Sequence, residues 1–338
     1  MNKKGNIENH SKIKLDIYKK YLEAYLSIMI NVPNYDNISI VEPFAGKGKS
    51  DNGENGSAVI AKNVIESIIN NNSKNIRLIL NDIKYCEDLK KNLQPYKEDI
   101  ISCSNKDANE FIIDVLSQSD NNKTHRLFFI DPWGYTQLKE ETYQKIFSAE
   151  RLDFLIFIPL SHIYRFLGNG RRFKSLKPIA NFLSDVGINE ENAEKCSDVE
   201  KFLEEIKKVF REKASTEFVY HKILKTKNSQ HCLLFSTRHI LGAEKFLEVL
   251  DKIDRQQYLF LPEEPIFIKH IYHQKKTLTN CELYKCGILD SLLPKKVGSI
   301  LKKLESNNKI TVVPKASTRR QGVFYIRNKD KKIEITFK

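Results

Sequence analysis

Ile38-Ser39-Ile40-Val41-Glu42-Pro43-Phe44-Ala45-Gly46-Lys47-Gly48-Lys49-Ser50 is the stretch on which the fold turns. Its first five residues form a short apolar run ending on a carboxylate, the pattern of a buried strand. Two glycines one residue apart follow, the pattern of a turn whose backbone must come close to a ligand. In open α/β sheets ligands settle beyond the carboxyl ends of the strands, where strand order reverses. Three ligands compete for this turn. A dinucleotide requires a third glycine three residues after the second, where Asp51 stands, and a helix opening inside the motif. Gly48-Lys49-Ser50 imitates the close of a P-loop, and Leu127–Asp131 imitates a Walker B strand. A P-loop, however, needs glycine at position 43, which is Pro43. It also needs a helix beginning at the Lys-Ser pair, and the turn-forming Asp51-Asn52-Gly53-Glu54-Asn55-Gly56 follows instead.

The third ligand is S-adenosylmethionine (SAM). Its sites end the first strand on an acidic residue and turn over small residues beside the methionine moiety. A second carboxylate, closing strand two, accepts from both ribose hydroxyls. Glu42, Phe44, Ala45, Gly46 and Gly48 supply the turn, and Asp82, ending IRLILND (76–82), falls where the ribose carboxylate is required. Asp107 and Ala108, just past strand three, border the adenine in this reading. Each acidic strand end taken singly also reads as an ordinary helix cap; their common register favours SAM.

Outward from the turn, strand-like and helix-like runs alternate. Residues 12–30 read as an amphipathic helix. Strands are expected at 38–43, 76–82, 100–104, 125–131 and 153–160. Helices are expected at 57–70, 84–94, 107–118 and 138–149. This alternation means βαβ units and a parallel sheet buried on both faces. Residues 161–213 read as helical, with an acidic stretch at 189–206 taken as a surface insertion. EFVYHKIL (217–224) and HCLLFSTRHI (231–240) read as an antiparallel hairpin, followed by a helix over 242–255 and a linker at LPEEP (261–265). The division expected is a sheet domain at 1–260 and a second domain at 261–338.

Asp131-Pro132-Trp133-Gly134-Tyr135 follows strand four. At such a corner in amino-methyltransferases, a side-chain acceptor and a prolyl carbonyl hold the exocyclic amine of a base while an aromatic ring stacks on it. The effect is mainly one of positioning. Trp133 is the single tryptophan of the chain, and Tyr135 adds a second ring. The usual base-methylating corner is Asp/Asn-Pro-Pro-aromatic; this one is closer to the Asp-Pro-Phe-Gly of tRNA guanine-N2 dimethyltransferases. Adenine N6 and guanine N2 both stay open. The competing reading is a tight turn around a packed Trp.

Composition narrows the class. With 41% hydrophobic and 29% charged residues, the chain is ordinary for a globular protein. No apolar run of about 18 residues suggests a membrane span, and the start, MNKKGNIENH, lacks the apolar region of a secretory signal. Six scattered cysteines are too few for a disulfide scaffold, so a cytoplasmic location is expected. Zinc sites prefer Cys pairs two to four apart, so His270, His273, Cys281 and Cys286 are not read as a metal site. Ser161-His162 and Tyr164-Arg165 fall past strand five, where Arg165 would meet phosphate if this is not simply a helix start.

The net charge is +13, and residues 261–338 hold 17 Lys/Arg against 7 Asp/Glu. A basic excess confined to one module is the electrostatic footprint of nucleic-acid binding. That module reads as three short helices and a hairpin of KITVVPK and GVFYIR around ASTRRQ, the order of a winged helix. Lys295, Lys296, Lys302 and Lys303 on the third helix, and Arg319 and Arg320 at the hairpin tip, are the expected phosphate contacts.

Taken together, KLDIYKKYLEAYLSIM, EPFAGKGKS with the later Gly56-Ser57 pair, the FFIDPWG corner and LLFSTRHILGAEKFLEVL resemble the three-Cys-motif partner (TcmP) family across most of the chain. The resemblance implies a Rossmann-like class I methyltransferase sheet carrying a C-terminal winged helix. It also implies SAM as cofactor and a partner protein with three cysteines of the radical-SAM type. It places cofactor contacts at Glu42, Phe44, Ala45, Gly46, Gly48 and Asp82, and the corner at Asp131, Pro132, Trp133 and Gly134. Lys47 and Ala58 stand where the family often has proline. The activity expected is methyl transfer to an exocyclic amine of DNA or RNA; the alternative is a SAM-binding accessory module that does not methylate.

Overall fold

The computed structural model describes residues 9–69, 73–118, 123–134, 136–160, 177–225, 230–255, 267, 271, 277–314 and 319–338. The chain divides into two compact units, Met1–Arg238 and His239–Lys338. That division falls ahead of LPEEP, which lies outside the described residues.

In the first unit, strands β1 (Asn37–Glu42), β2 (Asn75–Asn81), β3 (Ile101–Ser104), β4 (Thr124–Ile130) and β5 (Leu152–Pro159) are parallel. β6 (Phe218–Lys225) and β7 (Gln230–Thr237) add an antiparallel hairpin, β7 lying against β5. The sheet order is β3-β2-β1-β4-β5-β7-β6. This is a mixed α/β sheet whose order reverses between β1 and β4. Crossover helices α2 (Ser57–Ile69), α3 (Cys86–Leu93), α4 (Ala108–Ser117) and α5 (Glu140–Ser148) join the parallel strands. β1 is buried from Ile38 to Glu42, as a strand covered on both faces must be.

Helix α1 (Asn9–Met29) lays a stripe of Tyr18, Tyr21 and Tyr25 on the sheet. The Tyr18 hydroxyl donates to Glu42 of β1 at 2.8 Å and the Tyr21 hydroxyl to Asp153 of β5 at 3.1 Å. The Tyr25 hydroxyl is 2.8 Å from Nδ1 of His125 in β4. Positions 18, 21 and 25 share one helix face, so a single helix satisfies two buried carboxylates and a half-buried imidazole on three strands.

Between β5 and β6 the described chain forms α6 (Lys177–Val186), α7 (Glu190–Glu194) and α8 (Val199–Lys213). The acidic stretch here is not a mere surface insertion. Val199, Phe202, Leu203, Ile206 and Phe210 repeat at helical spacing and join the sheet core, with the Phe210 ring 4.9 Å from that of Phe147.

The second unit holds α9 (Ile240–Arg255), α10 (Asn280–Leu289), α11 (Pro294–Ser306) and a sheet of order β8-β10-β9. β8 is Thr277–Thr279, β9 Ile310–Val313 and β10 Glu334–Phe337. The expected hairpin is corrected here: β9 pairs with β10 and not with GVFYIR. Residues 322–327 form no strand, though Phe324 and Ile326 reach the core, while Ile335 and Phe337 supply the inward face of the paired strand. Residues 265–266, 268–270 and 272–274 of the first expected helix, with His270 and His273, lie outside the described residues.

No helix among the described residues is long and apolar enough to cross a membrane. Nor, among them, is any group of three or more His, Cys, Asp or Glu placed to hold a metal ion.

Candidate active site

Strand ends β1 to β4 converge on a cleft of about 490 Å³. Phe44, Asp82, Asp107, Ala108 and Trp133, all expected from the sequence, line it, together with Ile83, Asn109 and Gln137. Glu42, Ala45, Gly46, Gly48 and Asp131 are not part of its lining.

The glycine turn owes its shape to close backbone approaches. Gly46 and Gly48 have φ of +62° and +77°, and a Cβ on Gly46 would meet nothing within 4 Å. The Gly56 N–H donates to the Gly48 carbonyl at 2.8 Å, where a Cβ on Gly56 would lie 2.9 Å from the same oxygen. That approach accounts for the Gly-Ser pair closing the turn.

Asp82 ties this turn to its own. Its Oδ2 accepts from the Gly46 N–H at 2.9 Å, and its Oδ1 from the N–H groups of Lys84 at 2.9 Å and Tyr85 at 2.8 Å. A carboxylate has about four acceptor positions, so one remains on Oδ2 for a ligand hydroxyl.

Asp107 caps α4 through the Asn109 N–H at 2.9 Å. Partial burial pushes its carboxyl up, but the bonds from Asn109 and Glu110 outweigh this and hold it below the usual range.

Glu42 has a different place from the one its position suggested. It is fully buried, and its oxygens accept from Tyr18 at 2.8 Å and from the Ser57 hydroxyl at 2.5 Å. Burial pushes its carboxyl up to about 7, against the pull of the two hydrogen bonds. It therefore braces the turn between α1 and α2 instead of facing the cleft.

At the corner, the Asp131 carboxylate is ion-paired with Lys14 of α1, whose ammonium also lies 4.3 Å from the centre of the Phe157 ring. Pro132 and Gly134 line a small hollow beside Phe157 and Tyr143. Trp133 is 78% exposed, so the packed-tryptophan reading of this corner does not hold. Tyr135, Ser161, His162, Tyr164 and Arg165 lie outside the described residues.

Several site residues escaped the sequence reading. Lys14 shares the buried stripe of α1 with the tyrosines, and a lysine on an apolar stripe is the signal that could have found it. Asn81 donates to the Pro43 carbonyl at 3.2 Å and the Lys106 carbonyl at 3.0 Å, and accepts from the Ser104 hydroxyl at 2.8 Å. It thereby knits the ends of β1, β2 and β3 together. Asn109 does the same for the loop after β4, accepting from the Lys139 N–H at 2.9 Å and the Thr142 hydroxyl at 2.7 Å.

In the second unit, Lys295, Lys296, Lys302 and Lys303 are exposed on α11, two turns apart on one face. Arg320 is exposed as well. Arg319 departs from its expected role. Its side chain is 1% exposed and ion-paired with Glu305, and it donates to the Val323 carbonyl at 3.0 Å. Its charge holds the turn in place and is not offered to solvent.

No family profile and no curated protein matches the chain. Among solved structures, protein LPL1258 of Legionella pneumophila is similar at 15% identity and a TM-score of 0.40, over 68% of this chain and 85% of that one. Human methyltransferase-like protein 13 in complex with SAH is similar at 12% identity and a TM-score of 0.37, over 75% of this chain and 96% of that one. Loganic acid methyltransferase with SAH follows at 14% identity and 0.27, over 99% and 98%. Likenesses this loose carry no argument about what the chain does.

Proposed function

We propose that the chain is a SAM-dependent methyltransferase acting on an exocyclic amine of a DNA or RNA base. The observation that carries this reading is the placement of Asp82 and Asp107 in one cleft at the carboxyl ends of the strands, with an acceptor position on Asp82 still open. Asp82 would take one ribose hydroxyl on its open position, Asp107 and Ala108 would border the adenine, and the Gly46 turn would leave room for the methionine moiety. SAM, when bound, supplies an electrophilic methyl group. Asp131 and the Pro132 carbonyl would hold the amine, and a ring of the corner would stack on a base unstacked or flipped from its strand. The second unit, read as a winged helix, would dock the polymer through Lys295, Lys296, Lys302, Lys303 and Arg320. The resemblance in sequence adds a three-Cys-motif, radical-SAM-like protein as partner, and the scattered cysteines a cytoplasmic setting.

One observation favours a second reading, a SAM-binding accessory module that does not methylate: Asp131 is already ion-paired with Lys14. Calorimetry with SAM, its product S-adenosylhomocysteine (SAH) and ATP tests the cofactor. Heat with ATP alone would end both readings. Labelled methyl transfer to bulk DNA and RNA, with and without the partner, separates them. Transfer abolished by Asp131→Ala supports the enzyme; binding with no transfer to any nucleic acid supports the accessory module.

A further inference from the structure

Large apolar side chains left in water need a reason, and they are few here. Among the described residues the exposed large hydrophobics are Ile83 at 69%, Trp133 at 78% and Val313 at 52%. Two of the three, Ile83 and Trp133, line the same cleft. They follow strands β2 and β4, which flank β1 on either side.

Trp133 is also fixed relative to the acidic side of that cleft. Its N–H donates to the Gln137 side chain at 2.5 Å, and the Gln137 carbonyl accepts from the Asn109 amide at 2.9 Å. That amide in turn lies 3.1 Å from Asp107. A short hydrogen-bonded chain thus ties the backbone at the tryptophan to the cap of α4.

Two apolar walls over a polar floor suit a flat heteroaromatic ring joined to a hydroxylated sugar. We infer that Trp133 is a cofactor-side residue, its indole and the Ile83 side chain forming the walls between which the purine of the adenosyl group lies. The inference rests on the SAM reading and changes one part of it. Trp133 then selects the cofactor and does not stack on the target base.

Because Trp133 is the single tryptophan of the chain, its fluorescence reports this cleft alone. The full-length protein is titrated with SAH, following emission and calorimetric heat together, and then with a mixed-sequence single-stranded oligonucleotide. The expected result is a saturable emission change with SAH whose midpoint equals the calorimetric dissociation constant. Trp133→Ala should bind SAH roughly tenfold or more weakly, the scale of losing one ring stack, and Trp133→Phe within about threefold of the parent. Since the indole is exposed, neither change puts the core at risk. Heat with SAH but unchanged emission and unchanged Trp133→Ala affinity would overturn the inference while leaving the SAM reading intact. So would emission that answers the oligonucleotide and not SAH, which would return Trp133 to the target base. No heat with SAH at all would instead overturn the SAM reading, and the inference with it.

Discussion

Lys14 and Asp131 form an ion pair across 117 residues of sequence, joining the first helix to the corner after β4. Lys14 is almost wholly buried, and the Asp131 side chain keeps 28% of its surface exposed. Removing the lysine leaves a partly buried carboxylate without its cation. Lys14→Met should cost about 1–2 kcal/mol of stability, toward the low end for a broken pair because water still reaches Asp131. Methyl transfer should fall at least tenfold while SAH affinity stays within about twofold, since the pair lies outside the cleft lining. Unchanged transfer in this variant, measured with labelled SAM, would remove Lys14 from the site.

Glu42 predicts a pH dependence. Its carboxyl titrates near 7 in the folded protein, against an ordinary 4.5. Between those values the folded state binds more protons than the unfolded one, so stability declines as pH rises from about 4.5 through 7. Glu42→Gln removes the charge, keeps a hydrogen-bonding side chain and should flatten that decline. Relative to the variant, the parent should lose about 3 kcal/mol between pH 4.5 and 8, by urea unfolding at each pH. Parallel pH profiles for the two proteins would refute the assignment.

Gly46 and Gly56 should respond differently to alanine. At Gly46 the added methyl meets open space, so only the left-handed backbone opposes it, at about 1 kcal/mol. On the proposed placement of the methionine moiety beside this turn, SAH affinity should nonetheless drop about tenfold or more. At Gly56 the methyl collides with the Gly48 carbonyl, and relief breaks the hydrogen bond between them. Gly56→Ala should therefore destabilise by about 2–4 kcal/mol. Thermal melts and calorimetry together distinguish the two patterns.

In the second unit, Arg319 and the lysines of α11 should separate cleanly. Arg319→Ala leaves the half-buried Glu305 without its cation, though still bonded by the Gly322 N–H, and should destabilise by about 2–3 kcal/mol. Changing Lys295, Lys296, Lys302 and Lys303 together to alanine should leave the melting temperature within a degree or two. For duplex DNA it should lower the salt slope of binding by up to about 0.9 for each phosphate that a lysine no longer neutralises. A salt slope unmoved by the fourfold change would exclude this face as the nucleic-acid-binding surface.

The sheet was legible because its strands are short, apolar and bounded by turns, so Ile38–Glu42 and Leu127–Ile130 could be nothing else. The cleft was half legible. Asp82 and Asp107 stand at fixed offsets from strand ends, and offsets survive in sequence. Pairings across long separations do not, which is why Lys14 with Asp131 and Tyr18 with Glu42 were invisible from composition and spacing. The wing strand failed for a related reason. GVFYIR and IEITF are both rich in apolar residues, and only the second meets β9, while the turn at Arg319–Gly322 is held by Glu305. Arg319 misled because a surface cation and a buried one are the same letter.

The three tyrosines of α1 lock that helix in register as teeth lock a key. Sliding it by one residue would withdraw hydroxyls from Glu42 and Asp153, and the Tyr25 hydroxyl from His125, all at once. A version of the protein shortened to begin after residue 30 would thus bare two carboxylates and an imidazole in the middle of its sheet, and deleting the leading segment would unseat a strand end more than a hundred residues away.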